Sequence, residues 1–274
     1  QRGGSARGKR LITELSARNP RVADARRLLR QRAERRRSSR FVVETPKLVL
    51  EALSSDLAVE HVFVPAGEDY DEVAEACIAS NTPVYVLHDD VFESLADAVT
   101  PQPALAVVAA PSLTFDSRFT ASPIESLLVL VDVGDPGNVG TIIRTAEAAG
   151  FTGVVTTASA DVLGPKVVRA SAGSILRLPV ADVAADELFG LLHGAGFTIS
   201  ATAMDGLPYS STTHHDRLAY VLGSEAHGLR PDLQSNADQV VSIPMYGPTE
   251  SLNVSVAAAV LAFDRARRLE MAGD

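Results

Sequence analysis

Residues 126–150 read SLLVLVDVGDPGNVGTIIRTAEAAG. A short apolar run at 127–131 is followed by a loop with glycines at 134 and 137, and then by apolar residues at helical spacing. This succession predicts a buried strand, a turn and a helix, the unit from which parallel α/β sheets are built. In open sheets of this kind, ligands bind at the loops that follow the strands. The stretch therefore predicts both the fold class and the edge of the sheet where a ligand binds.

Two more glycine- and polar-rich loops follow apolar strands later in the chain. They are YVLGSEAHGL at 220–229 and VSIPMYGPTESLNVSVAAA at 241–259. Two common nucleotide-binding patterns do not fit. Asp135 stands where a dinucleotide fingerprint ending at Gly140 needs its first glycine, and the G-K-[ST] of a Walker loop is missing. A nicotinamide dinucleotide is therefore not expected at this edge, and a Walker-type phosphate loop is excluded.

The chain divides into two alternating series of strands and helices. The first predicts a smaller α/β domain over residues 1–110, beginning with a helix from Pro20 to about Arg37. Residues 111–125 contain two prolines and several Ser/Thr, which is typical of a linker. The second series predicts an α/β domain with a mostly parallel sheet over residues 126–274.

Charge is distributed unevenly along the chain. Residues 1–40 carry a net charge of +11, whereas the rest of the chain carries −20. Only the N-terminal stretch is suited to a polyanion, and its arginines 26, 30, 36 and 40 are candidate contacts. The alternatives for this stretch are a solvated basic helix and a disordered tail. Apolar residues at helical spacing, such as Val22, Ala25 and Leu29, favour a helix docked by one face.

Composition also bears on cofactors and compartment. Cys77 is the only cysteine, so an intramolecular disulfide and a Cys-based zinc site are excluded, and the six histidines show no metal-ligand spacing. We therefore expect no metal. The arginine-rich N-terminus lacks the apolar core of a secretory signal, and no apolar run is long enough to span a bilayer. These features predict a cytoplasmic protein that does not interact with a membrane.

The three loops, in this order and spacing, resemble the three motifs of the SpoU (TrmH) family of SPOUT-class RNA ribose methyltransferases. The N-terminal segments NPRV, FVVETPKLVLEAL and PALAVV are similar to the substrate-binding domain that often accompanies this catalytic domain, mostly in enzymes that modify ribosomal RNA. The resemblance implies a trefoil-knotted catalytic domain, a homodimer, S-adenosyl-L-methionine as cofactor, and 2′-O-methylation of RNA, most of all 23S rRNA.

The resemblance also implies roles for individual residues. Those matching the catalytic positions are Asn138, Arg144, Glu225, Ser251 and Asn253. Those matching the cofactor-binding positions are Leu222, Gly223, Ser224, Ile243, Met245, Ser251, Leu252 and Asn253. Arg144 is either the group that takes the hydroxyl proton or a clamp for an RNA phosphate, and guanidinium is a poor base. Asn138 and Ser251 are also suited to plain helix capping.

A further basic segment lies in the second α/β series, and two other functions are compatible with parts of the sequence. Lys166, Arg169 and Ser171, in GPKVVRASAGS at 164–174, are expected to form a basic loop that faces RNA. The alternatives are a tRNA 2′-O-methyltransferase and an RNA-binding relative without catalytic activity. An added N-terminal domain favours rRNA over tRNA, and the intact set of motif residues argues against a loss of catalysis.

Overall fold

The computed structural model describes residues 11–95, 102–213, 215–224 and 227–273. The chain forms two compact units. The first comprises Gln1–Pro111 and Leu163–Arg169, and the second comprises Ser112–Val162 and Ala170–Asp274. Within the described ranges, no helix has the length and hydropathy needed to cross a membrane.

The first unit alternates strands and helices. Its strands are β1 (Ile12–Glu14), β2 (Arg40–Glu44), β3 (Val59–Pro65), β4 (Val84–Leu87) and β5 (Leu105–Ala109). Its helices are α1 (Pro20–Arg30), α2 (Arg32–Ser38), α3 (Pro46–Leu53), α4 (Asp71–Ala79) and α5 (Asp89–Leu95). The sheet order is β1-β4-β3-β5-β2. The strands β1, β4 and β3 are parallel, and β5 runs antiparallel to both β3 and β2.

Helix α1 covers one face of this sheet. Its apolar residues Val22, Ala25, Leu28 and Leu29 are buried in one cluster with Phe63 of β3. Each fully buried Val or Leu side chain contributes about 1.5–3 kcal/mol, which is enough to hold an arginine-rich helix against the sheet. The prediction of a basic helix docked by one face is therefore confirmed.

The predicted single helix from Pro20 to about Arg37 is wrong in one respect, because the chain breaks at Gln31. Gln31 has an extended backbone (φ −122°, ψ 110°). The buried guanidinium of Arg35 donates to the carbonyl oxygen of Leu28 and, at 3.2 Å, to that of Leu29. Arg35 thus satisfies carbonyls at the C-terminal end of α1, which would otherwise lack partners. Helix propensity alone did not reveal this tertiary contact.

The second unit contains one six-stranded sheet. Its strands are β6 (Glu125–Val131), β7 (Gly153–Thr157), β8 (Val180–Asp182), β9 (Thr198–Pro208), β10 (Arg217–Leu222) and β11 (Gln239–Ser242). The remaining helices of the chain are α6 (Pro136–Ala148), α7 (Pro165–Ala170), α8 (Leu188–Gly194), α9 (Pro231–Gln234) and α10 (Val254–Gly273). The order is β11-β9-β10-β6-β7-β8, and every pairing is parallel. The predicted α/β class with a mostly parallel second sheet is confirmed.

The sequence predicts a linker over residues 111–125, and residues 112–125 belong to the second unit. They contain a 3₁₀ turn at Ser117–Phe119, and Phe119 is fully buried in the core of the second sheet. Phe115 stacks on Phe119 with ring centroids 4.9 Å apart. Proline and serine content indicated a loop correctly, but these two phenylalanines anchor it.

Candidate active site

The sheet of the second unit brings the three polar loops to one edge. Because β6, β10 and β11 are parallel members of one sheet, their C-terminal ends at Val131, Leu222 and Ser242 lie on the same side. β6 and β10 are neighbours, and the chain leaves β6 toward β7 on one side but leaves β10 toward β11 on the other. Such a reversal opens a crevice at the strand ends, which is the usual ligand position in open α/β sheets.

The first loop connects β6 to α6 in a strained, hydrogen-bonded turn. Asp132 has a left-handed backbone (φ 57°) and its N–H donates to Thr157 at 3.1 Å. Asp135 is the N-cap of α6, and its carboxylate accepts from the N–H of Asn138 at 2.8 Å. Pro136 occupies the first turn, where a missing N–H costs nothing. This turn fixes Asn138 in the first turn of α6, beside the crevice.

Asn138 meets Asn253 from the third loop. The Nδ2 of Asn253 donates to the Oδ1 of Asn138 at 3.2 Å. The Oδ1 of Asn253 accepts from the N–H of Ser255 at 2.9 Å and from its Oγ at 2.6 Å, so Asn253 also caps α10. Both α6 and α10 therefore begin at this junction, and their N-terminal N–H groups favour an anion there.

Arg144 lies on the exposed side of α6. In the described part of the chain, its guanidinium forms no hydrogen bond or ion pair. It stands six residues after Asn138, so the two side chains leave the helix about 120° apart. Ser251 is exposed in the third loop, and Glu225 lies outside the described residues. The structure thus joins Asn138 to Asn253 and leaves Arg144 open to solvent.

The second loop is a turn that only glycine permits at its start. A Cβ on Gly223 would lie 2.2 Å from the carbonyl carbon of Gly228 and 2.3 Å from the nitrogen of Leu229. Gly228 has φ +63° and its N–H donates to the carbonyl of Ser224 at 2.8 Å. Leu222 and Gly223 are buried, and Ser224 is half-buried. The backbone polar groups of this turn are therefore held close to the end of β10.

The third loop, residues 243–253, exposes apolar side chains. Tyr246 is 98% exposed, Met245 and Leu252 are also exposed, and Ile243 is half-buried. Large exposed apolar groups that cluster in one loop mark a surface that another molecule covers. Together with the backbone groups of Gly223 and Ser224, they suit a neutral heterocycle recognised by apolar contact and main-chain hydrogen bonds.

The sequence predicts a strand at 197–203 but not the bulge that the structure shows after it. Strand β9 lies between β10 and β11, and its pairing with β11 jumps from Ala201 to Leu207 while β11 advances by one residue. Residues 202–206 therefore bulge from the sheet, and Gly206 is pressed against Val241, whose carbonyl carbon a Cβ would meet at 2.6 Å. The Asp-Gly pair at 205–206, a turn signal inside an apolar strand, was the available clue.

The predicted RNA contacts differ in their availability. Arg30, Arg36 and Lys166 are exposed. Arg26 is half-buried and donates to Ser94 at 3.1 Å.

Of the other three predicted contacts, two form ion pairs with carboxylates and one is buried. Arg40 pairs with Asp24 at 2.7 Å and with Glu60 at 3.2 Å. Arg169 pairs with Glu44 inside the first unit. Ser171 is fully buried, so its assignment as an RNA contact is wrong. Residues 165–170 form a short helix rather than a loop, which turns the next residue inward.

Metal-ligand clusters are absent from the described residues, where no three His, Cys, Asp or Glu side chains converge. Cys77 is buried in the first unit, and this burial raises the pKa of its thiol to about 11. A thiol of that kind is protonated at neutral pH and packs as a small apolar group.

Comparison with known proteins gives a consistent result. Residues 125–263 match the model of the SpoU rRNA Methylase family, and residues 19–106 match the MRM3-like substrate binding domain. The chain is 33% identical over 250 residues to the 23S rRNA (guanosine(2553)-2'-O)-methyltransferase RlmP of Bacillus subtilis, a match that covers 90% of this chain and 96% of that protein.

Two solved structures resemble the whole chain. An AdoMet-bound rRNA methyltransferase from Sinorhizobium meliloti is 28% identical with a TM-score of 0.82, covering 94% of this chain and 98% of that one. The SpoU methyltransferase AviRb from Streptomyces viridochromogenes, in complex with AdoMet, is 25% identical with a TM-score of 0.85, covering 92% and 99%. The likeness thus extends over both units of the chain.

Proposed function

The chain belongs to the SpoU rRNA methylase family, and on that premise we propose that it transfers a methyl group from S-adenosyl-L-methionine to a ribose 2′-hydroxyl of 23S (large-subunit) ribosomal RNA. The observation that carries this proposal is the junction of Asn138 and Asn253 at the sheet edge where the three loops meet. The full-length similarity to a 23S rRNA 2′-O-methyltransferase supports the choice of substrate.

The cofactor site is proposed at the second and third loops. The residues that hold the cofactor are Leu222, Gly223, Ser224, Ile243, Met245, Ser251, Leu252 and Asn253. The residues fit the molecule, because exposed Met245 and Leu252 offer apolar contacts to the adenine and the turn at Gly223 offers main-chain groups. When bound, S-adenosylmethionine supplies an electrophilic methyl group on a sulfonium.

The chemistry requires that the 2′-hydroxyl lose its proton as the new bond to carbon forms. A ribose hydroxyl is a very weak acid, so a neighbouring group must accept or disperse this proton. We assign Arg144 the role of clamping the RNA phosphate beside the target ribose, because a solvent-exposed guanidinium suits bidentate phosphate binding better than proton abstraction. The clamp would hold the 2′-hydroxyl in place for attack on the methyl carbon. As the oxygen–carbon bond forms, the carbon–sulfur bond would break to leave a neutral thioether, and the hydroxyl proton would pass to solvent.

Asn138 and Asn253 orient this site rather than exchange protons. Their mutual hydrogen bond holds the starts of α6 and α10 together, where N–H groups attract the RNA backbone. Glu225 is proposed to orient Arg144 or Asn138, and Ser251 to donate to the cofactor or to a phosphate.

RNA binding is proposed for the first unit. Its exposed cations Arg30, Arg36 and Lys166 suit phosphate contacts that position the RNA without reading its sequence. The half-buried Arg26 lies on the same helix α1 as Arg30. Arg40 and Arg169, which are paired with carboxylates, would need to exchange those partners.

A homodimer is proposed through α10. Val256 and Phe263 on this helix are 48% and 52% exposed, and residues seven positions apart lie on the same side of a helix. This apolar stripe suits an isologous contact with a second copy. Sedimentation of the wild-type chain and of Phe263→Asp tests the dimer, with loss of the larger species expected only in the variant. The family's trefoil knot and a cytoplasmic location complete the proposal.

The substrate is tested by supplying labelled S-adenosylmethionine with either large-subunit rRNA or bulk tRNA. Label in rRNA alone is expected. Label in tRNA alone would contradict the substrate assignment while leaving the type of reaction intact. Assembled large subunits are tested in parallel, because base choice depends on the RNA shape presented to the enzyme.

A further inference from the structure

Arg21, in the first turn of α1, lies over an aromatic ring. Its guanidinium carbon is 5.2 Å from the ring centroid of Tyr85 on β4. Arg21 is exposed and Tyr85 is half-buried, so the pair is at the surface of the first unit. A guanidinium in this position gains from the ring's negative face.

Two more rings lie beside Tyr85 on the neighbouring strand. His61 and Phe63 of β3 have centroids 5.4 Å and 5.8 Å from that of Tyr85. His61 is only 6% exposed, and its Nε2 has no hydrogen-bond partner among the described residues. Burial first, and then the charge of Arg21, lower the pKa of His61 to about 4, so this ring is neutral at pH 7. His61 therefore adds no positive charge to this aromatic group at pH 7.

Arg21 differs from neighbouring arginines in its ion pairing. Arg27 and Arg40 both pair with Asp24. Within the described ranges, Arg21 forms no ion pair with an acidic side chain. The first turn of α1 holds no acidic residue, and the exposed Arg18 precedes it. The outer face of the Arg21 guanidinium is thus an exposed, positive and planar surface.

We infer that Arg21, held over Tyr85, is a stacking platform for one unpaired base of the RNA substrate. This inference rests on the proposed RNA-binding role of the first unit and assigns it a specific subsite. Unpaired bases stack on aromatic rings and on guanidinium planes, whereas bases inside an A-form duplex are already covered by their neighbours. The platform therefore favours a loop, bulge or end of the RNA over a continuous duplex.

The test distinguishes the contribution of base stacking to RNA affinity from that of positive charge. Lysine retains the positive charge of arginine but not its planar group, so Arg21→Lys removes the platform and keeps the phosphate attraction. Arg27→Lys, at an exposed arginine of the same helix that is not among the proposed RNA contacts, is the matched control. Binding of the full-length variants to a short labelled single-stranded RNA, and to a blunt duplex of the same sequence, is measured over a range of salt concentrations.

For Arg21→Lys, we expect about a tenfold loss of single-strand affinity, the order of one base stack, with an unchanged salt dependence and unchanged duplex binding. Arg27→Lys should change neither the single-strand affinity nor the duplex affinity. Tyr85→Phe, which keeps the ring, should bind as the wild type does, and Tyr85→Leu should resemble Arg21→Lys.

Three results would overturn the platform: full single-strand affinity in Arg21→Lys, an equal loss of affinity for the duplex, or an equal loss of single-strand affinity in Arg27→Lys. Methyl transfer by the wild-type enzyme to rRNA is measured separately. Failure of the platform and failure of the proposed function are therefore distinguishable.

Discussion

The amide nitrogen of Asn253 donates to the amide oxygen of Asn138 at 3.2 Å, across 115 residues of sequence. Asn253 uses its own amide oxygen to cap α10, so one side chain serves both a helix end and the candidate site. These two roles use different atoms. They are therefore separable by substitution.

Asn253→Ser keeps a good N-cap but is too short to reach Asn138, whereas Asn253→Ala removes both functions. We expect Asn253→Ser to lose most methyl transfer at nearly wild-type stability. Asn253→Ala should lose the same activity and, in addition, about 1 kcal/mol of the free energy of unfolding. Chemical denaturation and single-turnover assays provide the two readouts. Wild-type turnover in Asn253→Ser would show that the Asn138 contact is dispensable.

Arg144→Ala should reduce methyl transfer by at least about a hundredfold, because it removes the phosphate clamp beside the reacting hydroxyl. Cofactor affinity, measured by calorimetry, should stay close to that of the wild type, since Arg144 is outside the proposed cofactor loops. Arg144→Lys keeps the charge without the bidentate geometry, so its methyl-transfer activity should lie between those of the wild type and Arg144→Ala. A large loss of cofactor affinity in Arg144→Ala would contradict this assignment.

Gly223→Ala should raise the dissociation constant for S-adenosylmethionine at least about tenfold. The added methyl group would lie within 2.3 Å of the Gly228 backbone, so the turn must open. Gly190→Ala in α8 is the control, because a Cβ there meets no atom within 4 Å and alanine favours a helix. Isothermal titration of both variants is the measurement. Unaltered affinity in Gly223→Ala would place the cofactor elsewhere.

Stability should fall as pH drops from 6.5 toward 4, because of His61. Burial, followed by the charges of Arg21 and Arg40 and opposed by Asp24, lowers its pKa from 6.5 to about 4. Between these pH values His61 is protonated in the unfolded chain but not in the folded chain. The free energy of unfolding therefore falls by up to about 3 kcal/mol below pH 4.

His61→Leu should remove that part of the pH dependence. His88→Gln, at a histidine whose side chain is 81% exposed, should retain it. The free energy of unfolding of the wild type and both variants is measured by urea denaturation at several pH values. Parallel pH profiles for the wild type and His61→Leu would show that His61 is not responsible.

The sequence was most informative where local pattern determines structure. Short apolar runs predicted β6 and β10, and the glycine-rich loops predicted the functional edge of the sheet. Local sequence patterns did not predict contacts between residues that are distant in the chain. The break at Gln31 depends on Arg35 reaching carbonyls in the preceding helix, and the burial of Phe119 depends on a core formed by distant strands.

At the candidate site, too, the sequence predicted residues but not the contacts between them. The resemblance of the three loops to the family's motifs predicted Asn138, Arg144 and Asn253 as site residues, but it did not indicate that Asn138 and Asn253 share a hydrogen bond. Ser171 was misassigned because a polar residue in a glycine-containing segment is typical of a loop, whereas a short helix turns it inward.

The position of the transferred methyl group tests the central claim most directly. Labelled S-adenosylmethionine is incubated with 23S rRNA and with large subunits, and the RNA is then hydrolysed by alkali. A methylated 2′-hydroxyl cannot attack the adjacent phosphate, so we predict label in alkali-stable dinucleotides. Label in mononucleotides would indicate base methylation, and an absence of label from both substrates would contradict rRNA methylation itself.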